Sequence, residues 1–211
     1  IRVLSGNALT VDAMKSFSNA FSSYAKESRR SGTYDQFETS LSSYYINQFG
    51  NEYKNSNGGN SANNLQQNLS SLGVNGKALQ YNYISANTHP LGQKDNLMFQ
   101  KDKTRWSQLH KRNHPSFRDY LYEFGYYDIF LVDADSGNIV YSVYKELDFA
   151  TSLKTGPFAN SGIGQAFNMA LNSGAAGDVS ITDMDRYFPS YDAPAAFISS
   201  PIYDKGSMIG V

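Results

Sequence analysis

The sequence predicts an α+β fold in which a helical segment precedes an antiparallel sheet flanked by helices, and three observations carry that prediction. Before residue 50 the large apolar residues recur every three or four positions. Two apolar, β-rich runs then flank Asp135-Ser136-Gly137-Asn138, which reads as a hairpin. After the hairpin, one helical pattern is followed by short alternating runs.

From Ala8 to Ser28, Met14, Phe17, Phe21 and Tyr24 form one stripe of an amphipathic helix, with Thr10 or Asp12 as its cap. Phe37, Leu41, Tyr44, Tyr45 and Phe49 repeat the spacing, and Ser31-Gly32-Thr33 between them reads as a break or a tolerated interruption. The stripe packs either on the same helix of a second subunit or on the chain's own sheet module. Residues 55–64 are Gly/Asn-rich with no apolar anchor, so a flexible loop is expected there. A short helix over Leu65 to Leu72 should stop at Gly73. Trp106, Leu109, Phe117, Tyr120, Leu121 and Phe124 are again helical, although His114-Pro115 argues against an unbroken helix; Gly125 is the stop. Ile129 to Val132 and Ile139 to Tyr144 are the hairpin strands, Asn160 to Asn172 a helix, and Val179 to Thr182, Ala195 to Tyr203 and Met208 onward further strands.

A formal net charge of −1 and 18% charged residues give no basic field for nucleic acid and no polybasic stretch for a membrane. The absence of cysteine removes thiolate chemistry, Cys-ligated metals and disulfides. No apolar run approaches the roughly 20 residues that cross a bilayer. The opening Ile1-Arg2-Val3 and the strand just beginning at Ser207 to Val211 read as an excised piece with its last strand truncated.

Four segments taken together are specific. They are Leu79 to Asn87 with His89-Pro90-Leu91-Gly92; Phe124 to Asp133 (FGYYDIFLVD); Tyr141 to Leu153 (YSVYKELDFATSL); and Tyr187 to Ile198 (YFPSYDAPAAFI). Over 78–211 the chain resembles the extracytoplasmic Cache (PAS-like, double-Cache type) sensor regions of bacterial chemoreceptors, sensor histidine kinases and cyclase-type signalling proteins. The resemblance implies an N-terminal helical segment over 1–77 rising from a transmembrane segment, and a membrane-distal ligand-binding module over 78–211. It also implies a periplasmic or otherwise extracytoplasmic place in an inner-membrane protein, with a role such as chemotaxis. The amino-acid-binding subset carries Arg-x-Trp-Tyr after the first hairpin, whereas Lys145 to Gly164 holds neither Arg nor Trp, so an α-amino acid is not supported.

Catalytic and metal readings fare poorly. Asp128 and Asp133 read as strand-end turn residues rather than paired carboxylates, since five residues along a strand they face opposite ways. His110 and His114 share a helix face at zinc-ligand spacing, but no Glu follows His110 and Pro115 interrupts, so a surface or capping role is expected. Neither Asn160-Ser161-Gly162-Ile163-Gly164, a helix start, nor Asn172-Ser173-Gly174, a helix end, has the strand a nucleophile elbow needs. No catalytic residue, metal or cofactor is assigned. The pocket is instead expected where the stretch from Asp183 to Tyr191 faces the loop after the hairpin: Tyr144, Lys145, Asp148 and Ser152 opposite Asp183, Tyr187 and Tyr191. In that scheme Asp183 accepts from a ligand amine or hydroxyl, Lys145 faces a carboxylate, and the tyrosines close over the apolar part. Two alternatives stay open: a protein-interaction module without a small ligand, and a hydrolase with a tyrosine-rich cleft.

Overall fold

The computed structural model describes residues 1–30 and 37–211. Helix α1 (Arg2–Ser5) leads into α2 (Ala8–Phe21). Asn7, rather than Thr10 or Asp12, caps α2: its extended backbone lets Oδ1 accept the Leu9 amide at 2.9 Å. Thr10 and Asp12 already lie inside the first turns. The expected stripe is buried on the chain's own module, with the Phe17 ring 4.9 Å from Tyr141 and 5.2 Å from Trp106. A second subunit therefore cannot use this stripe; dimerisation would need another face. Helix α3 (Tyr24–Arg30) follows, and the break expected at Ser31-Gly32-Thr33 lies outside the described residues.

Helix α4 (Phe37–Ser43) runs into a π-helical turn (Tyr44–Phe49) and on into α5 (Gly50–Ser56), so the loop expected from residue 55 starts after Ser56. After α6 (Leu65–Ser70), Gly73 does not merely stop a helix; it stands at the N-cap of α7 (Val74–Gln80), which a second π-helical turn (Tyr81–Ser85) continues. The boundary drawn at residue 77 falls inside α7. Fully buried Gln80 accepts from Tyr45 Oη at 2.8 Å and donates to the Leu147 and Phe149 carbonyls at 3.1 and 2.6 Å. Helical segment and sheet module thus share one hydrophobic core.

Helix α8 (Arg105–Phe124) passes through Pro115 unbroken, against expectation. Proline removes one amide hydrogen bond of this long helix, and burial of His110, His114, Phe117 and Leu121 on one face holds the rest in place. Thr104 Oγ1 caps the start and Gly125, at φ 67°, ends it as expected. The indole of Trp106 donates to the Val140 carbonyl at 2.9 Å, tying α8 to the sheet.

Strands β1 (Phe130–Val132) and β2 (Ile139–Ser142) form the expected antiparallel hairpin. Helix α9 (Gly162–Leu171) starts after Ser161 and ends at Asn172, both as expected. Strands β3 (Ser180–Ile181) and β4 (Asp185–Tyr187) turn back through a 3-10 turn (Phe188–Ser190) to β5 (Ala193–Ala195) and β6 (Ile198–Ser199), pairing β4 with β5 and β3 with β6. Pro201, which has no amide to donate, separates β6 from β7 (Ile202–Asp204), so the single strand expected over Ala195 to Tyr203 is three. Strand β8 (Ser207–Gly210) pairs with β7, and reciprocal 2.9 Å bonds between Val132 and Val211 join the two hairpins in the order β2-β1-β8-β7. Helix α9 packs on β3 and β6.

Gly210 of β8 lies tightly against Met14 of α2. A Cβ there would collide with Met14 Sδ and lie 2.8 Å from the Val132 carbonyl. Gly210→Ala is expected to destabilise by about 1–3 kcal/mol, read as a lower urea midpoint at unchanged slope; an unchanged midpoint would contradict this packing.

Candidate functional site

Between β1, α9 and the arm formed by β5 and β6 lies a cavity of about 370 Å³, within the size range of small-molecule sites. Its middle is apolar: Leu131 and Val132 from β1, Leu153 from the loop after the hairpin, Ile163 and Phe167 from the inner face of α9, and Phe197 from the arm. The alternation of β1 and the helical period of α9 put these residues there. One end is polar, formed by Tyr127, Asp128, Tyr187 and Ser190.

Behind that end sit the acids of the loop after the hairpin. Glu146 accepts from Tyr127 Oη at Oε1 and Ser190 Oγ at Oε2, both at 2.7 Å. Burial first, then the charge of Asp148, pushes its carboxyl up to about 8. Asp148 is wholly buried; its Oδ2 accepts from Tyr187 Oη, and its Oδ1 has no hydrogen-bond partner among the described residues. Burial, then the charge of Asp128, raises it to about 7. Asp128 accepts the Ile129, Val143 and Tyr144 amides at Oδ1 and Ser142 Oγ at Oδ2, so it staples the hairpin as a turn residue.

Of the seven residues expected to bind, Tyr187 lines the cavity and Asp148 supports it from behind. Tyr144 lies one layer out, stacked at 5.1 Å on Tyr127. Lys145 does not face the cavity lining. Its buried ammonium donates to the Val143 carbonyl at 2.9 Å and lies 5.5 Å from the Tyr141 ring and 5.9 Å from that of Tyr83, in the core. Burial lowers its pKa against the charge of Asp128. A positive φ of 60° turns its side chain away from where a regular strand would send it. Ser152 belongs to the hairpin turn, donating to the Ser136 carbonyl at 2.9 Å. Asp183 is exposed and outside the lining, so the structure does not bring it to the site as an acceptor. Tyr191 packs its ring 5.0 Å from Phe49, on the helical segment.

His110 and His114 are neither on the surface nor capping; both are fully buried and stacked at 4.2 Å. His114 Nε2 faces only an acceptor, the Asp95 carbonyl at 2.7 Å, so that nitrogen carries the proton and Nδ1 accepts from Tyr141 Oη. Burial pushes both imidazoles well below their ordinary value. Among the described residues no group of three or more His, Asp or Glu is placed to hold a metal.

The chain was also compared with known proteins. No family model, curated protein or solved structure matches it. Sequence reasoning missed Tyr127 and Glu146, Ser190, whose carboxylate partner lies 44 positions away, and the hydroxyls at the far end of the cavity, Ser5, Thr10 and Ser200. Thr10 had the pattern of a helix cap, and no local signal marks the others.

Proposed function

We propose that the chain is the extracytoplasmic small-molecule-sensing domain of a bacterial transmembrane signalling receptor, a chemoreceptor or sensor kinase, and that it binds its ligand without transforming it. The observation that carries this is the cavity itself: apolar in the middle, polar at one end, and built between an antiparallel sheet and a helix on an α+β frame. The α+β architecture and the four sequence segments that resemble Cache modules support the same reading. The hydroxyls and carboxylates at the polar end are engaged with one another, which suits recognition. No helix among the described residues is long and apolar enough to cross a membrane; in this reading the anchor lies in flanking sequence.

Thermal unfolding across a metabolite set tests the proposal. A ligand that binds only the folded state at a hundred times its Kd adds about 2.7 kcal/mol and raises the melting temperature. Ala166→Leu, which places extra carbons into the cavity from α9, should keep the unliganded melting temperature while abolishing the ligand's shift. Turnover of ester, phosphate or glycoside probes that Ala166→Leu abolishes would contradict the proposal, as would a shift that survives the substitution.

A further inference from the structure

We infer that the cavity takes an uncharged ligand and that Thr10, on the first turn of α2, is the polar anchor for it. This rests on the sensor reading above. Among the described residues six buried hydroxyls line the cavity, those of Ser5, Thr10, Tyr187, Ser190, Ser199 and Ser200. Five are already paired within the fold: Ser5 with Ser200 at 2.8 Å, Ser199 with the Ala166 carbonyl at 2.8 Å, Ser190 with Glu146 at 2.7 Å, and Tyr187 with Asp148. Thr10 is 2% exposed, and its Oγ1 has no hydrogen-bond partner among the described residues. A buried hydroxyl left unpaired is destabilising, so a site that retains one is short of a partner. An oxygen of the ligand seated against Thr10 supplies what the fold lacks.

The charge of the ligand follows from the rest of the lining. Asp128 is its only charged side chain among the described residues, and four bonds from Ile129, Val143, Tyr144 and Ser142 already occupy both carboxylate oxygens. A cation would have to draw Asp128 off those bonds. An anion would be buried with no cationic side chain in the lining to pair it, and one threonine hydroxyl does not offset that desolvation. An uncharged molecule meets neither penalty. The chemistry that fits is a short hydrocarbon or aromatic body carrying one ketone, ester, lactone or alcohol oxygen.

The anchor also has a consequence for signalling. Helix α2 is fixed to the sheet by Ser18 Oγ donating to Asp133 at 2.7 Å and by the Lys15 to Asp204 ion pair at 2.8 Å. A contact made at Thr10 only when the cavity is filled gives the ligand a differential hold on α2, which is what a shift between two helix positions requires.

Chemical-shift titration of the Leu131 and Ile163 methyl groups with cyclohexanone, against cyclohexylamine and cyclohexanecarboxylate, tests the inference. Cyclohexanone should bind and its two charged isosteres should bind far more weakly or not at all. Thr10→Val, which keeps the shape and removes the hydroxyl, should weaken cyclohexanone about tenfold, the equivalent of one hydrogen bond, while Thr10→Ser retains most of the affinity. The unliganded Thr10→Val protein should melt at the same or a higher temperature, because an orphaned hydroxyl has been removed, whereas a structural threonine would lower it. Equal affinity of Thr10→Val and parent, or preference for either charged isostere, overturns the inference and leaves the sensor reading standing. Binding by none of the three probes, with no stabilising compound in the metabolite set, overturns both.

Discussion

Trp106→Ala is expected to destabilise the protein by about 5 kcal/mol, comparable to the whole stability of many domains. The indole is fully buried, and its ring centroid lies 4.7 Å from Tyr83, 5.2 Å from Phe17 and His110, 5.8 Å from Phe149 and 6.0 Å from Tyr24. These partners come from α2, α3, the second π-helical turn, α8 and the loop after the hairpin, so the side chain ties the N-terminal helices to the sheet module. Truncation leaves a large void, for about 3–5 kcal/mol, and orphans the Val140 carbonyl, for about 1–3 kcal/mol more. Trp106→Phe fills most of the void and should lose mainly the hydrogen bond. Because Trp106 is the protein's single tryptophan, the variants are followed by far-UV circular dichroism in urea rather than by indole fluorescence. A loss below about 1 kcal/mol for Trp106→Ala would show that the helical segment and the sheet do not share one core.

Stability is expected to peak in mildly acidic solution and fall on both sides. Asp148 is raised to about 7 in the fold, and a carboxyl raised by folding adds stability that is fully present below its unfolded pKa. That contribution is lost as pH rises through the folded value, here between about pH 4 and pH 8. Glu146, raised to about 8, acts in the same direction. His110 and His114 work on the other side: they stay neutral in the core while the unfolded chain takes up protons as pH drops below about 6.5. Lys145, lowered by burial, opposes the alkaline loss, whereas Asp128, raised by burial to about 6, acts in the same direction as Asp148. The variant that isolates the effect is Asp148→Asn. Parent minus variant, measured by urea unfolding from pH 5 to pH 8.5, should fall by about 3 kcal/mol toward the alkaline end. A pH-independent difference would mean that Asp148 is already ionised across the range.

Much of the frame was legible because it follows from one-dimensional period. The stripe from Met14 to Tyr24, the hairpin around Gly137, and helix α9 with its boundaries at Ser161 and Asn172 all stand where spacing put them. What spacing does not encode is compensation by distant partners. Pro115 breaks isolated helices, yet α8 continues because its buried face is held by α2 and by Val140 and Tyr141 of β2, which meet Trp106, His114 and Phe117. The π-helical turns insert an extra residue per turn so that Tyr45 and Tyr83 reach inward, a need visible only with Gln80 and Ser107 in place. The site divides in the same way. Sequence brought the loop after the hairpin together with Tyr187, and Tyr187 does meet Asp148. It misjudged Lys145, because the left-handed backbone at that residue turns the ammonium into the core, and it misplaced Asp183, which lies exposed in the link between β3 and β4, while β4 presents Tyr187 to the interior. Thr10 passed for a cap because caps and buried ligand hydroxyls are drawn from the same residue types.

The measurement that bears most directly on the cavity as a recognition site is a crystal structure with the compound that raises the melting temperature most. The account predicts that compound lying between Leu131, Ile163 and Phe167, with an oxygen within hydrogen-bond distance of Thr10 Oγ1 and the Tyr187 to Asp148 contact intact. Side chains filling that space, or the compound held anywhere else on the molecule, would contradict it.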